Sequence, residues 1–313
     1  MTDSGMRRLL AAVRGHHAGT ATPAELEACG RARLRALAGG RNSGVYAASL
    51  DGRRLCLKLP IVDERGRAER EWRALWLLAA QLPGLAPAPL LHDPHPSQPV
   101  VVMSLLPGGH LGARRLDRHQ LAMLAEVHAL LQEITPAAAA APLPAAVGQP
   151  ADLMRRVDGC LDTAPSGRGA PWRLRAARLW REWRAGPDPT VLLAPAPQVL
   201  SRGDPSLANC LWDGRRLTIV DFEYAGWRDR AVELADLVEH AQARNTTAAD
   251  WDCFDGRFDL DAHARARHRA ARRLLAFFWL TLALAPPRPG REPADLQPAP
   301  QLRHITALLG PRG

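Results

Sequence analysis

The chain has 313 residues, 47% of them hydrophobic and 23% charged, with a formal net charge of +9. That balance supports a sizeable core and excludes global disorder, and the length suits about two domains or lobes. The strongest apolar run, Leu274 to Ala285, is about half of the ~20 residues that a membrane span needs, and Met1 to Arg14 carries no apolar signal core. The expectation is a cytoplasmic protein with no membrane partner, monomeric or homodimeric.

Five scattered cysteines, Cys29, Cys56, Cys160, Cys210 and Cys253, with no Cys-x-x-Cys among them, argue against a disulfide framework or a thiolate metal site. Cys210 has apolar neighbours and reads as a buried structural thiol. Of the 41 basic residues, Lys58 is the only lysine. Such an arginine bias says little about any one arginine. A lysine kept against it is informative, because a compact ammonium reaches a single phosphate oxygen in a way that a planar guanidinium does not.

In chain order, residues 1–37 read as helical. Val45 to Leu50 and Arg54 to Leu59 read as two strands joined at Asp51-Gly52, a pair that favours positive φ and a tight hairpin turn. Glu64 to Leu82 reads as a helix stopped by Pro83-Gly84, and Val100 to Met103 as a short buried strand. Pro107-Gly108-Gly109 breaks the chain, which suggests a small unit over 1–103, a hinge at 104–109 and a larger unit over 110–313. Leu116 to Ile134 is helical again, and residues 136–150 form a low-complexity connector. Helices follow near 151–162 and 172–185; Trp172, Leu179, Trp180 and Trp183 lie on or near one face of the second, as core packing requires. Leu207 to Trp212 and Arg216 to Val220 flank a second Asp-Gly turn. Residues 229–243 and 261–285 are helical, 286–300 are Pro-rich, and a short helix ends the chain. Strands first and helices later give an α+β fold with a sheet-bearing small lobe and a helical large one.

The residues that carry chemistry fall at the joints of this pattern. Asp204 lies on a loop after an apolar strand, Asn209 ends that loop, and Asp221 closes the return strand Thr218-Ile219-Val220. This supplies a base for a hydroxyl and two oxygen ligands for a hard cation such as magnesium, which needs few protein oxygens when it also binds phosphate. Upstream, Gly39-Gly40-Arg41-Asn42-Ser43-Gly44 precedes a hairpin whose second strand carries Lys58. Gly40, Asn42 and Ser43 are the candidates for backbone contact with phosphates. A P-loop is excluded, because its lysine would follow the glycines directly. Glu71 shares a helix face with Ala74, Leu75 and Leu78, so its carboxylate turns inward and needs a partner. Lys58 is that partner, with Glu69 the alternative to Glu71.

This order of glycine loop, hairpin lysine, helix glutamate, hinge, Asp-x4-Asn and Asp resembles the aminoglycoside phosphotransferase and choline kinase family, over roughly residues 35–285. The resemblance implies a bilobal protein-kinase-like fold and ATP and Mg2+ as partners. It implies a Lys58–Glu71 pair on the nucleotide, and a hinge at Met103-Ser104-Leu105-Leu106-Pro107-Gly108 whose Ser104 and Leu106 backbone groups meet adenine. Arg202-Gly203-Asp204 matches the catalytic loop, and Asp221-Phe222-Glu223-Tyr224 the metal segment. Asp236 matches a carboxylate that braces the loop. His128, on a face with Leu121, Leu124 and Leu131, is read as a core histidine. Arg202 departs from the family, which usually has histidine there.

Only 11 residues separate Asp221 from Glu233, which leaves no room for a peptide platform and favours a small hydroxylated substrate. Glu223, Tyr224, Asp252 and Asp255, with Asp229 and Trp251, are candidates to meet ammonium groups of an aminoglycoside- or choline-like molecule, and 244–262 is the expected substrate loop. Two competing readings are a catalytically silent nucleotide-binding protein of the same fold and a basic nucleic-acid-binding protein. The second lacks any interleaved aromatic platform, so no nucleic-acid partner is expected.

Overall fold

The computed structural model describes residues 3–37, 43–112, 115–139, 142–162, 170–285 and 297–310. Gly40 and Asn42 of the expected phosphate loop lie outside the described residues. Two helices, α1 (Asp3–Ala18) and α2 (Pro23–Arg31), lead into a five-stranded antiparallel sheet. Its strands are β1 (Arg35–Ala36), β2 (Ser43–Leu50), β3 (Arg53–Pro60), β4 (Pro89–Asp93) and β5 (Val100–Ser104), in the order β1-β2-β3-β5-β4. The β2–β3 hairpin turns on Asp51 and Gly52, both at positive φ (50° and 75°), as the Asp-Gly pair predicts.

Strand alternation decides what each face of this sheet does. Leu55, Leu57 and Leu59 of β3, with Val100 and Val102 of β5, pack on Met6, Leu9, Leu10 and Val13 of α1. The residues between them point the other way. Val101 and Met103 meet Ala74, Leu75 and Leu78 of α3 (Arg67–Gln81). Lys58 pairs in register with Val101, so it also faces α3. The helix begins three residues later than its apolar pattern suggests.

The sheet ends at Ser104, and β6 (Gly109–His110) pairs with β8 (Cys210–Trp212) of the larger lobe. There α4 (Arg118–Gln132) buries Leu121, Leu124, His128 and Leu131. Strands β7 (Gln198–Ser201) and β10 (Gly226–Asp229) form one antiparallel pair, and β8 and β9 (Leu217–Ile219) the second expected hairpin. A separate apolar cluster joins α5 (Pro150–Leu161), α6 (Ala170–Ala185), α7 (Asp188–Leu193), α8 (Arg230–Glu239), α10 (Ala262–Ala283) and α11 (Pro298–Leu309). In it Trp180 and Trp183 stack at 4.7 Å, the core role read for that face of α6. Within the stretch expected to be a loop, residues 248–255 instead form α9 (Ala248–Asp255), capped by Thr247 and anchored by buried Trp251 and Phe254. No described helix is long and apolar enough to cross a membrane.

Candidate active site

The two lobes meet at the ammonium of Lys58. It lies 2.6 Å from Glu71 Oε2, 2.6 Å from Asp221 Oδ1 and 3.1 Å from Glu223 Oε2. Glu71 comes from α3 and the other two from the segment after β9, so one side chain ties three elements together. The second oxygen of Glu71 accepts from the Phe222 N–H at 3.3 Å. Burial alone would push Lys58 down, but Asp221, Glu71 and Glu223 outweigh it and hold the ammonium charged, well above the usual lysine range. Burial pushes Glu71 up to about 7 against the pull of Lys58, with Asp221 adding to the rise. Glu69 is on the outside of α3, bonded to Arg73 at 2.6 Å, so Glu71 is the partner of Lys58.

Asp221 has φ +69°, unusual for a residue with a side chain. Such a conformation costs of order 1–3 kcal/mol and persists where its surroundings enforce it. Here the Lys58 bond and the Phe222–Glu71 bond hold it from both sides. Asn209 is placed beside it by the hairpin, since the Val220 N–H donates to the Asn209 carbonyl at 2.9 Å. The side-chain amide nitrogen of Asn209 is buried without a hydrogen-bond partner among the described residues.

Asp204 is half-buried. Burial, then the charge of Asp221, pushes its carboxyl up to about 6, while the Ser206 N–H, donating at 3.1 Å, and Arg202 pull it down. Its loop is held by Asp236, as the resemblance implies, and by two residues that the sequence did not announce, Glu233 and Arg228. Glu233 of α8 accepts from the Ser201 hydroxyl and from the Arg202 N–H at 3.3 Å. Arg228 donates to Asp236 at 2.6 Å and lies 3.5 Å from Glu233. Asp236 therefore braces the loop through Arg228, and Glu233 is the carboxylate in direct contact. Gly203 has φ +73°, and a Cβ there would lie 2.0 Å from the Tyr224 carbonyl oxygen. Only glycine lets these two backbone segments meet.

Arg202, in the place of the family's histidine, is fully buried and donates to Cys210 Sγ at 3.4 Å, while its Nε and Nη2 have no partner among the described residues. Cys210 is the buried thiol expected. His128 is completely buried, and burial, then Arg202, hold it well below its ordinary pKa, so it is a neutral core residue.

The expected substrate residues separate. Glu223 is buried, bonded to Lys58, to the Ser43 hydroxyl at 2.9 Å and to Arg67 of α3. Its carboxylate is engaged by three donors and does not face outward toward a cationic substrate. Tyr224 accepts from Arg67 at 2.6 Å and lies under its guanidinium, 4.7 Å from the ring centroid. Asp252 is exposed, and Asp255 faces α10, 3.7 Å from His268 and 3.8 Å from Arg272. Asp229 caps α8 and binds Arg267, and Trp251 is buried with its N–H on the Ala243 carbonyl. Ser43 reaches the site through Glu223. At the expected hinge, the Ser104 N–H donates to the Ala88 carbonyl at 2.9 Å, so that nitrogen is already engaged. Arg67, one arginine among forty, and Glu233, inside an apolar helix face, carried no periodic signal that would mark them.

A small antiparallel sheet over a helical lobe, with a buried strand lysine bridging a helix glutamate and a loop aspartate, defines a protein-kinase-like fold. The chain belongs to the phosphotransferase enzyme family, whose model matches residues 33–278. Its structure is similar to a choline/ethanolamine kinase family protein from Mesorhizobium loti (TM-score 0.66, 21% identity, covering 96% of this chain and 95% of that one). It is also similar to a thermostable mutant of aminoglycoside phosphotransferase APH(4)-Ia in complex with ADP and hygromycin B (TM-score 0.58, 13% identity, covering 89% and 95%). A third similar structure is choline kinase LicA from Streptococcus pneumoniae (TM-score 0.57, 15% identity, covering 88% and 93%). No curated protein matches the chain in sequence.

Proposed function

We propose that this phosphotransferase moves the γ-phosphoryl group of ATP to a hydroxyl of a small molecule, within a cleft between lobes joined at residues 104–109. The observation that carries the proposal is the convergence on Lys58 of Glu71 from α3 and Asp221 from the segment after β9, each at 2.6 Å. Lys58, held by Glu71, grips the nucleotide phosphates as a positioned point charge. Ser43 borders the same phosphates, and backbone groups of Ser104 and Leu106 the base.

The donor set fits a magnesium ion. The carboxylate oxygens of Glu71, Asp221 and Glu223 lie within 4.8 Å of one another; Arg67 offsets Glu223, and Glu71 and Asp221 share Lys58, which leaves negative charge that a hard cation relieves. Asn209, whose amide nitrogen has no partner among the described residues and whose backbone carbonyl receives the Val220 N–H, would add a neutral side-chain oxygen near Asp221. Asn209 and Asp221 are the residues that would hold the ion. When bound, it supplies charge neutralisation for the transferring phosphoryl group. Asp204 orients the acceptor hydroxyl and takes its proton; a carboxyl raised to about 6 is ionised at neutral pH yet basic enough for the task.

The test is an ADP-release screen with Mg-ATP over amino alcohols, aminoglycosides, sugars and other hydroxylated compounds. Acceptor-dependent ADP with matching phosphorylated product is the expected result. Tight ATP binding with no product from any acceptor would favour the catalytically silent alternative.

A further inference from the structure

The stretch that follows α8 carries a histidine that the mechanism above leaves unused. His240 is buried, and its Nε2 lies 3.9 Å from Asp204 Oδ1. Its other nitrogen, Nδ1, receives the Gln242 backbone N–H at 3.2 Å. A backbone N–H can only donate, so Nδ1 is an acceptor and the proton of the neutral ring sits on Nε2. The ring is kept neutral by burial and then by Arg202 and Arg244, which push it down to about 3. An N–H donor therefore faces the carboxylate that acts as base.

The position of that donor is fixed from three sides. Trp279 packs edge-to-face on the His240 ring with centroids 4.8 Å apart. Gln242 accepts from the Ser206 hydroxyl at 2.8 Å and from the Ala208 N–H at 3.1 Å, which locks the segment onto the loop of Asp204. The Gln242 N–H itself holds the imidazole plane. A separation of 3.9 Å is too long for a direct bond. It is short enough for one oxygen atom, at about 2.8 Å from each side, to bridge the two.

We propose that the acceptor hydroxyl binds in this notch, donating its proton to Asp204 and accepting a hydrogen bond from His240 Nε2–H, so that its remaining lone pair is aimed at the phosphoryl group. His240 is then a catalytic residue that touches the reacting oxygen as a fixed donor and exchanges no proton with it. In the transfer, the oxygen–phosphorus bond to the acceptor forms, the bond from γ-phosphorus to the bridging oxygen of ATP breaks, and the acceptor proton passes to Asp204. The notch selects an unhindered hydroxyl with both lone pairs free. The inference rests on the assignment of Asp204 as base.

Two variants separate this role from capping of the short 3-10 helix Ala241–Asn245, which His240 caps through Nδ1, because each keeps one nitrogen's function. His240→Asn retains a short polar group that can receive the Gln242 N–H but cannot reach the notch. His240→Gln reaches the notch but gives up the cap. The probe is Mg-ATP with water as acceptor, read as ADP release, together with 15N NMR of the His240 ring in the full chain. The expected results are an Nε2–H tautomer near neutral pH, a roughly 10- to 100-fold loss of turnover in His240→Asn with unchanged melting, and partial retention in His240→Gln. An Nδ1–H tautomer overturns the proposal, as does wild-type turnover in His240→Asn. Turnover lost in Asp204→Ala but normal in His240→Asn removes His240 alone. Turnover that survives Asp204→Ala removes the base assignment beneath it.

Discussion

Replacing Lys58 with methionine keeps the length of the side chain and deletes the one positive charge shared by Glu71, Asp221 and Glu223. Breaking a buried ion pair by removing one partner costs about 3–5 kcal/mol, because the other charge stays buried without compensation. With an unfolding entropy near 2.1 cal/mol/K per residue, a chain of 313 residues loses about 1.5 °C of Tm per kcal/mol, so the drop is on the order of 5–8 °C. The loss depends on pH, and its sign follows from Glu71. Its pKa is raised from 4.5 to about 7, so its contribution to stability is fully present in the ordinary carboxylate range and is lost as pH rises through about 7. Without the pull of Lys58 that carboxyl rises further. The variant then folds with a proton on Glu71 at pH 6 and is penalised most at pH 8.5. Thermal melts of both proteins at the two pH values measure this directly. An unchanged Tm, or an equal deficit at both pH values, would refute the claim that the ammonium neutralises this cluster. The same substitution should raise the KM for ATP.

Turnover should fall on the acid side with an apparent pKa of about 6, about tenfold per pH unit below it, because protonated Asp204 cannot accept the hydroxyl proton; a flat profile from pH 5 to 8 would remove Asp204 as the titrating base. Gly203→Ala places a methyl 2.0 Å from the Tyr224 carbonyl at a residue with φ +73°, so loss of at least about 3 kcal/mol in denaturant melts is expected, with turnover abolished. Glu233→Ala strands the Ser201 hydroxyl, the Arg202 N–H and the nearby Arg228 guanidinium, and should destabilise by about 2–4 kcal/mol in the same melts.

Much of the site was legible because several of its residues break a local pattern. Lys58 is one lysine in an arginine-rich chain, Glu71 is a carboxylate on an apolar helix face, and Asp204 and Asp221 sit where strands stop. The hairpins were legible from two Asp-Gly pairs. The support was not. Glu233 lies between Val232 and Leu234 and looks like any helix residue until the Ser201 loop is packed against it. Arg67 shares its identity with too many neighbours to be singled out. The small strand β4 is five residues long between prolines, too short to show alternation. Helix α9 is set by the Thr247 cap and by Trp251 and Phe254 at i and i+3, a signal that the interleaved Asp250, Asp252 and Asp255 obscured. Glu223 was assigned to the substrate because its charge was visible, while the three donors that occupy it come from β2, β3 and α3.

The most direct measurement is a paired one on Asp204→Ala: calorimetric binding of Mg-ATP, and formation of phosphorylated acceptor followed by 31P NMR. Nucleotide affinity within about threefold of wild type, with product formation lowered at least about a hundredfold, is the predicted result. Product formed at the wild-type rate would contradict the placement of Asp204 at the reacting hydroxyl, and Mg-ATP bound by neither protein would contradict the reading of the Lys58–Asp221 cleft as a phosphoryl-transfer site.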